Sequence, residues 1–153
     1  MAVTSSGVYS DYQPWKAFNN SSNAYYWHNT AALPKWISWY TPETIKISNI
    51  RAQNYMGSGS HYVSGGIVQG SDDNENWTDL VTFTNSITAA SAVWDIPITG
   101  NTHYYNYHRI YINTGNTNTI FQNLYITATY WGTPKLSDYS WAAGTESKYY
   151  IKY

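Results

Sequence analysis

Residues 66–84 read GIVQGSDDNENWTDLVTFT. A β-branched run between two glycines comes first, a polar turn follows, and an alternating apolar–polar stretch closes the unit. Asp72 and Asp73 open the turn, and Asn74 and Asn76 are residues that tolerate the left-handed backbone region. Trp77 is expected to carry the chain back to the core. The stretch therefore specifies strand, tight turn, strand, with the two strands antiparallel.

The same grammar extends in both directions. Residues 36–40 (WISWY) form an aromatic, β-branched run after Pro34. Residues 44–54 direct Ile45, Ile47 and Ile50 to one side, with Lys46 and Ser48 outward. Residues 92–98 (AVWDIPI) and 107–113 (YHRIYIN) alternate. Residues 124–131 (LYITATYW) set Leu124, Ile126, Ala128 and Tyr130 on one face. Gly, Asn, Asp and Ser punctuate these runs, as in TGNTH at 99–103 and NTGNTNT at 113–119. No window carries a sustained helical period and no fixed repeat is visible. Short strands with frequent turns predict an all-β, antiparallel β-sandwich.

Composition narrows the function. The chain has 153 residues, enough for one domain with a real core. Eight Lys and Arg oppose nine Asp and Glu, 11% charged in all, against about 25% in an average protein. Clustered basic residues for nucleic acid or for an anionic membrane surface are missing, so neither is an expected partner. With no cysteine, disulfide and thiolate chemistry are excluded. Seventeen Tyr and eight Trp, with abundant Asn, Ser and Thr, supply flat apolar faces and uncharged hydrogen-bonding groups instead. Such a surface suits neutral, hydroxyl-rich ligands, and equally a virion β-protein with no ligand. No nucleophile elbow, zinc-protease motif or phosphate loop is present, so no enzyme is expected. His103 and His108, five apart, cannot face one metal from a strand. Arg109 alternates with Tyr107 and Tyr111 and is expected to be paired or to cap a carbonyl. Met1 is followed by no basic or apolar leader, and no uncharged apolar run reaches bilayer length, so membrane insertion is not expected. Beyond Gly132, residues 133–153 read as an aromatic extension to a sandwich of residues 1–132, for docking or oligomerisation.

Three ordered matches carry a resemblance. VQGSDDNENWTDL at 68–80, WKAFN at 15–19 followed by Trp27, and Tyr107-x-Arg109-Ile110 resemble the discoidin, or coagulation factor 5/8 type C, domain. That family overlaps carbohydrate-binding module family 32. The resemblance covers roughly residues 3–132 and implies a jelly-roll sandwich that binds ligands at the loops of one end. Asn19 and Asn123 fall where relatives use carboxylates for a structural calcium. Carried over, these amides imply a weakened calcium site and a protein that requires no cofactor.

For a sugar ligand, the resemblance points to the loops at 8–13, after Trp27, at 54–62 and at 113–120. Candidate binding residues are Tyr9, Tyr12, His28, Asn54, Tyr55, His61, Tyr62, Asn116 and Asn118. Ala31 stands where sugar-binding relatives often have a second aromatic, and an arginine of the 54–62 segment is replaced. The expected function is non-catalytic recognition of a cell-surface glycan, as a lectin-like host-attachment module of a phage virion or tail fibre. The location would then be virion or extracellular, and the state a homo-oligomer or part of a larger assembly. A structural virion protein using the sandwich as a spacer, and a binding module of a secreted glycoside hydrolase, remain as alternatives.

Overall fold

The computed structural model describes residues 1–20 and 26–131. Nine strands occur among them: β1 (Ala2–Ser5), β2 (Trp27–Asn29), β3 (Lys35–Gln53), β4 (Val63–Ser71), β5 (Thr78–Thr84), β6 (Val93–Pro97), β7 (Tyr105–Gly115), β8 (Thr119–Phe121) and β9 (Asn123–Tyr130). A 3-10 helix spans Pro14–Phe18. All pairings are antiparallel. The antiparallel sandwich expected from the sequence is what forms. The extension at 133–153 lies outside the described residues.

The 19 residues of β3 organise both layers. Its first half pairs with β1 and β7, and β7 continues through β4 to β5. Its second half pairs with β6 and β9. Between the halves, Thr41-Pro42-Glu43-Thr44 makes the bend, since proline cannot donate to a ladder. Asn106 closes the bend by donating Nδ2 to the carbonyls of Thr41 (2.9 Å) and Pro42 (3.3 Å). Ala2 pairs with Tyr40 and Tyr130 with Ile45, so the outer ends of β1 and β9 both sit beside this bend. A register shift between Ile47 and Asn49 explains why the apolar period slips from Ile47 to Ile50.

The inward faces meet in a core rich in isoleucine: Ile37, Ile45, Ile47, Ile50, Ile96, Ile110 and Ile112 are all buried, with Trp27, Trp39, Trp94 and Phe121. Each such side chain contributes about 1.5–3 kcal/mol on burial. Phe18 packs on Trp39 at 5.7 Å, whereas Trp15 is 40% exposed. His108 lies wholly inside, its ring stacked on Trp39 at 5.7 Å.

Two expectations are corrected here. Asn74 takes the left-handed conformation (φ 63°) and Asp73 gathers the turn, accepting from the backbone amides of Glu75 and Asn76 and from the Asn76 side chain. Those bonds hold its carboxyl well below the usual range. The chain does not, however, return Trp77 to the core. The indole lies on the outer face under the Arg109 guanidinium, 4.0 Å from ring centre, with Tyr111 at 5.2 Å. The second correction is Arg109 itself. It is held by these rings and by Gln69 Oε1 (2.6 Å); Gln69 in turn donates to the Asp79 carboxylate, so the expected ion pair is indirect rather than a direct contact.

Burial drives the His108 pKa down to about 3. Between that value and the ordinary histidine pKa of about 6.5 the unfolded chain binds the extra proton, so stability falls as pH drops through this window. Urea unfolding should show a midpoint that declines from pH 7 to 4, approaching about 1.4 kcal/mol per pH unit from this group. His108→Phe should flatten the decline above about pH 5, leaving there the smaller slope of His28 and, nearer pH 4, that of carboxylates such as Asp73 and Asp95 whose pKa is depressed. An unchanged slope in that variant would remove His108 from the account.

Candidate functional site

The tip is built around Tyr26-Trp27-His28. Alternation sends Trp27 inward, where it stacks on Phe121 (6.0 Å) and donates Nε1 to the Gly7 carbonyl (3.1 Å). Tyr26 and His28 therefore face the other way. The segment at 8–13 runs beside β2: the Tyr9 amide donates to the His28 carbonyl (2.8 Å) and the His28 amide to the Tyr12 carbonyl (3.3 Å). Lys16 fastens this segment by donating Nζ to the Asp11 carbonyl (2.6 Å) and carboxylate (2.9 Å).

The result is one continuous ring cluster. Tyr9 and Tyr12 are nearly parallel at 6.4 Å, and Tyr12 and Tyr26 stack at 4.4 Å. Tyr26 meets Tyr55 at 4.8 Å, and Tyr55 meets His61 edge-on at 5.6 Å. His28 sits among them, 4.8 Å from Tyr9, 5.9 Å from Tyr12 and 5.9 Å from His61. Tyr9 is half exposed. Gly57 lies against the Tyr55 ring, where a Cβ would come within 2.8 Å of it.

The electrostatics are those of uncharged groups. Burial, and hydrogen bonds with Tyr12 and Tyr55, push the Tyr26 hydroxyl pKa above the usual tyrosine value. His28 is 9% exposed and its pKa is lowered, first by burial and then by the neighbouring His61 charge; Lys35 adds to this and a hydrogen bond with Asn118 opposes it. The His28 ring is therefore neutral near pH 7. Its Nε2 is buried without a hydrogen-bond partner among the described residues. A buried ring nitrogen left in this way is costly unless something supplies the partner.

Five of the expected residues, Tyr9, Tyr12, His28, Tyr55 and His61, come together in this cluster. Asn118 lies on the loop leading into β8, two residues before Ile120, which pairs with His28. Asn116 shapes the loop instead, its Oδ1 accepting the Asn118 amide (2.9 Å). Tyr62 makes no ring contact with the cluster among the described residues. Asn54 is a correction. It is buried, donates Nδ2 to the carbonyls of Ile87 (2.9 Å) and Ala89 (3.1 Å), and accepts from Trp94 Nε1 (2.9 Å), so its amide is committed to the scaffold.

Two residues of the site were missed in the sequence. Tyr26 was signalled by the alternation that makes Trp27 the core residue. Lys35, next to Pro34, reads as a surface charge, yet it is wholly buried beneath the tip.

Asn19 ends the 3-10 helix, and the buried Asn123 donates Nδ2 to Gln53 Oε1 (2.7 Å). Residues 21–25 of the adjoining loop lie outside the described residues. No group of three or more His, Asp or Glu that could hold a metal lies among the described residues.

Comparison with solved structures agrees with this architecture. A family 32 carbohydrate-binding module of Clostridium perfringens, in complex with GalNAc-β-1,3-galactose, aligns at a TM-score of 0.70. The identity is 13%, over 82% of this chain and 93% of that one. The fold is that of the family 32 carbohydrate-binding modules. The family 32 module of C. perfringens NanJ, in complex with galactose, aligns at 0.69 with 14% identity, over 82% of this chain and 91% of that one. Chitosan-binding module 1 from a Paenibacillus chitosanase/glucanase aligns at 0.64 with 20% identity, over 82% and 93%. No protein-family model and no curated protein matches the sequence. Within the family 32 fold, the ring cluster occupies the end of the sandwich where β2 and β8 pair.

Asn54→Ala removes a partner from the buried Trp94 Nε1 and releases two carbonyls of the 85–92 loop. Thermal or urea unfolding should show a loss of about 2 kcal/mol, the cost of orphaning buried polar groups. A neutral substitution would return Asn54 to the candidate binding residues.

Proposed function

We propose that the protein is a non-catalytic carbohydrate-binding module that holds a neutral glycan at its tip. The observation that carries this is the continuous ring cluster of Tyr9, Tyr12, Tyr26, Tyr55, His28 and His61, with Tyr9 half exposed at its edge. The C–H face of a pyranose stacks on an exposed ring such as Tyr9, and its hydroxyls pair with His28 and Asn118. Nothing in this scheme moves a proton or breaks a bond. Shallow contacts of this kind bind weakly one at a time, so repeated copies supply avidity.

The setting we propose is attachment to a glycan on a cell surface, as by a virion or tail-fibre component. The low charge and the Asn, Thr and Tyr richness support that setting. The likeness to a module from a chitosanase/glucanase favours a second one, delivery of an attached enzyme to its polysaccharide. Both use the same tip.

A glycan array probed with multimerised protein should give neutral-sugar hits, and His28→Ala or Tyr55→Ala should reduce them at least tenfold. Silence across the array would defeat the proposal. Binding should be unchanged by EDTA, because the scheme uses no metal. A chelator-sensitive affinity would shift attention to Asn19 and Asn123.

A further inference from the structure

The outer face of the larger sheet carries rings that the tip does not use. On β3 and β7, alternation buries Ile37, Trp39, His108 and Ile110 and turns their neighbours in the two strands outward. Register sorts the outward residues into cross-strand rows. Tyr40 is opposite Tyr107, with ring centres 4.8 Å apart, and Trp36 is opposite Tyr111. Between these two aromatic rows runs a polar one: Ser38, Arg109, Gln69 and Asp79. Tyr107 and Tyr111 are four residues apart on β7. The aromatic rows therefore stand about 13 Å apart, more than one sugar ring spans.

Arg109 occupies the centre of this face. Its guanidinium lies over the Trp77 ring at 4.0 Å, with Tyr111 at 5.2 Å, and its Nε donates to Gln69 Oε1 (2.6 Å). Asp79 takes the Gln69 amide, which keeps the Gln69 oxygen turned to Arg109. No carboxylate touches the guanidinium among the described residues, and its two terminal nitrogens have no acceptor there. Guanidinium N–H bonds lie in the plane of the group, so stacking on Trp77 fixes that plane without using them. A half-buried cation held flat, with donors unspent, is complementary to a carboxylate, which accepts two parallel N–H bonds. The rows on either side offer ring faces for the C–H side of a pyranose. Trp, Tyr and Arg also anchor protein interfaces. Here the row between the rings is polar, and of the outward residues at 36–40, 67–71 and 107–111 only Ile67 is aliphatic. That balance favours a hydroxyl-rich chain over an apolar protein surface.

We propose that this face is a second carbohydrate site, for a chain of hexuronic acid sugars: one carboxylate binds the Arg109 guanidinium, and the sugars flanking it lie on the Trp36–Tyr111 and Tyr40–Tyr107 rows. The site is separate from the ring cluster of the tip and does not depend on the reading given to that cluster.

The test uses the intact chain. Backbone and indole proton–nitrogen spectra are followed as soluble oligogalacturonate or oligomannuronate is added. With at least one of them, the amides of 36–40 and 107–111 and the Trp36 and Trp77 indoles should shift, and added salt should weaken the binding. Methyl esterification removes the charge and keeps the sugar, and should lower affinity at least about tenfold. Arg109→Gln should lower it as much, and Arg109→Lys, charged but without the planar fork, should restore only part. Trp36→Ala should weaken binding several-fold with an unchanged melt. Should Arg109→Gln not fold, the comparison of acid with ester on the wild-type protein makes the same decision. The proposal is overturned by the absence of shifts on this face with both polyuronates, or by equal binding of acid and ester. It is also overturned by a dimer in sedimentation equilibrium that Trp36→Ala dissolves, which would make the face an interface between copies. Failure of the tip reading looks different: neutral glycans stay silent while the polyuronate shifts on the sheet remain.

Discussion

A single strand supplies both ends of the tip. β3 starts at Lys35 beneath the 116–119 loop, runs away from the tip to the bend at 41–44, and returns to Gln53. The next residues, Asn54 and Tyr55, enter the ring cluster and its support. Because the two halves belong to opposite layers, the separation of those layers fixes the separation of the two sides of the site. The isoleucine core that sets this spacing is thus also the element that keeps Tyr55 and His61 opposite His28.

Within that frame the alternation of β2 decides what faces outward. Burying Trp27 leaves Tyr26 and His28 no other side. Tyr26 then becomes the keystone of the cluster, shielded by the rings of Tyr12 (4.4 Å) and Tyr55 (4.8 Å). Its own exposure is small, so its part is to set the planes of its neighbours. The surface a ligand would meet belongs to Tyr9, Tyr12, Tyr55, His61 and the edge of His28.

Much of this was legible in the sequence, for physical reasons. Strands announce themselves by a period of two and by turn residues that accept unusual backbone angles, and the run at 66–84 showed both. The loop aromatics were legible because loops at one end of a sandwich converge. Failures occurred where one residue type serves opposite roles. Trp77 was read as core because strand tryptophans usually point inward, but here it supports an arginine on the outer face. Asn54 was read as a ligand contact because it borders a binding loop, yet an asparagine next to a buried Trp94 has its amide fully used. Lys35 escaped notice because burial of an ammonium cannot be seen until the Asn29 and Thr117 carbonyls and the Thr119 hydroxyl around it are folded into place. Tyr26 was the avoidable miss, since the assignment of Trp27 to the core already implied its direction.

The placement of β1 and β9 has a mechanical consequence. Ala2 and Tyr130 meet β3 on either side of its bend, at the pole remote from the ring cluster. Any tether acting through those two strands grips the protein by its base. Load would enter and leave beside Tyr40 and Ile45 without crossing the aromatic pole, which is then free to act as a leading edge.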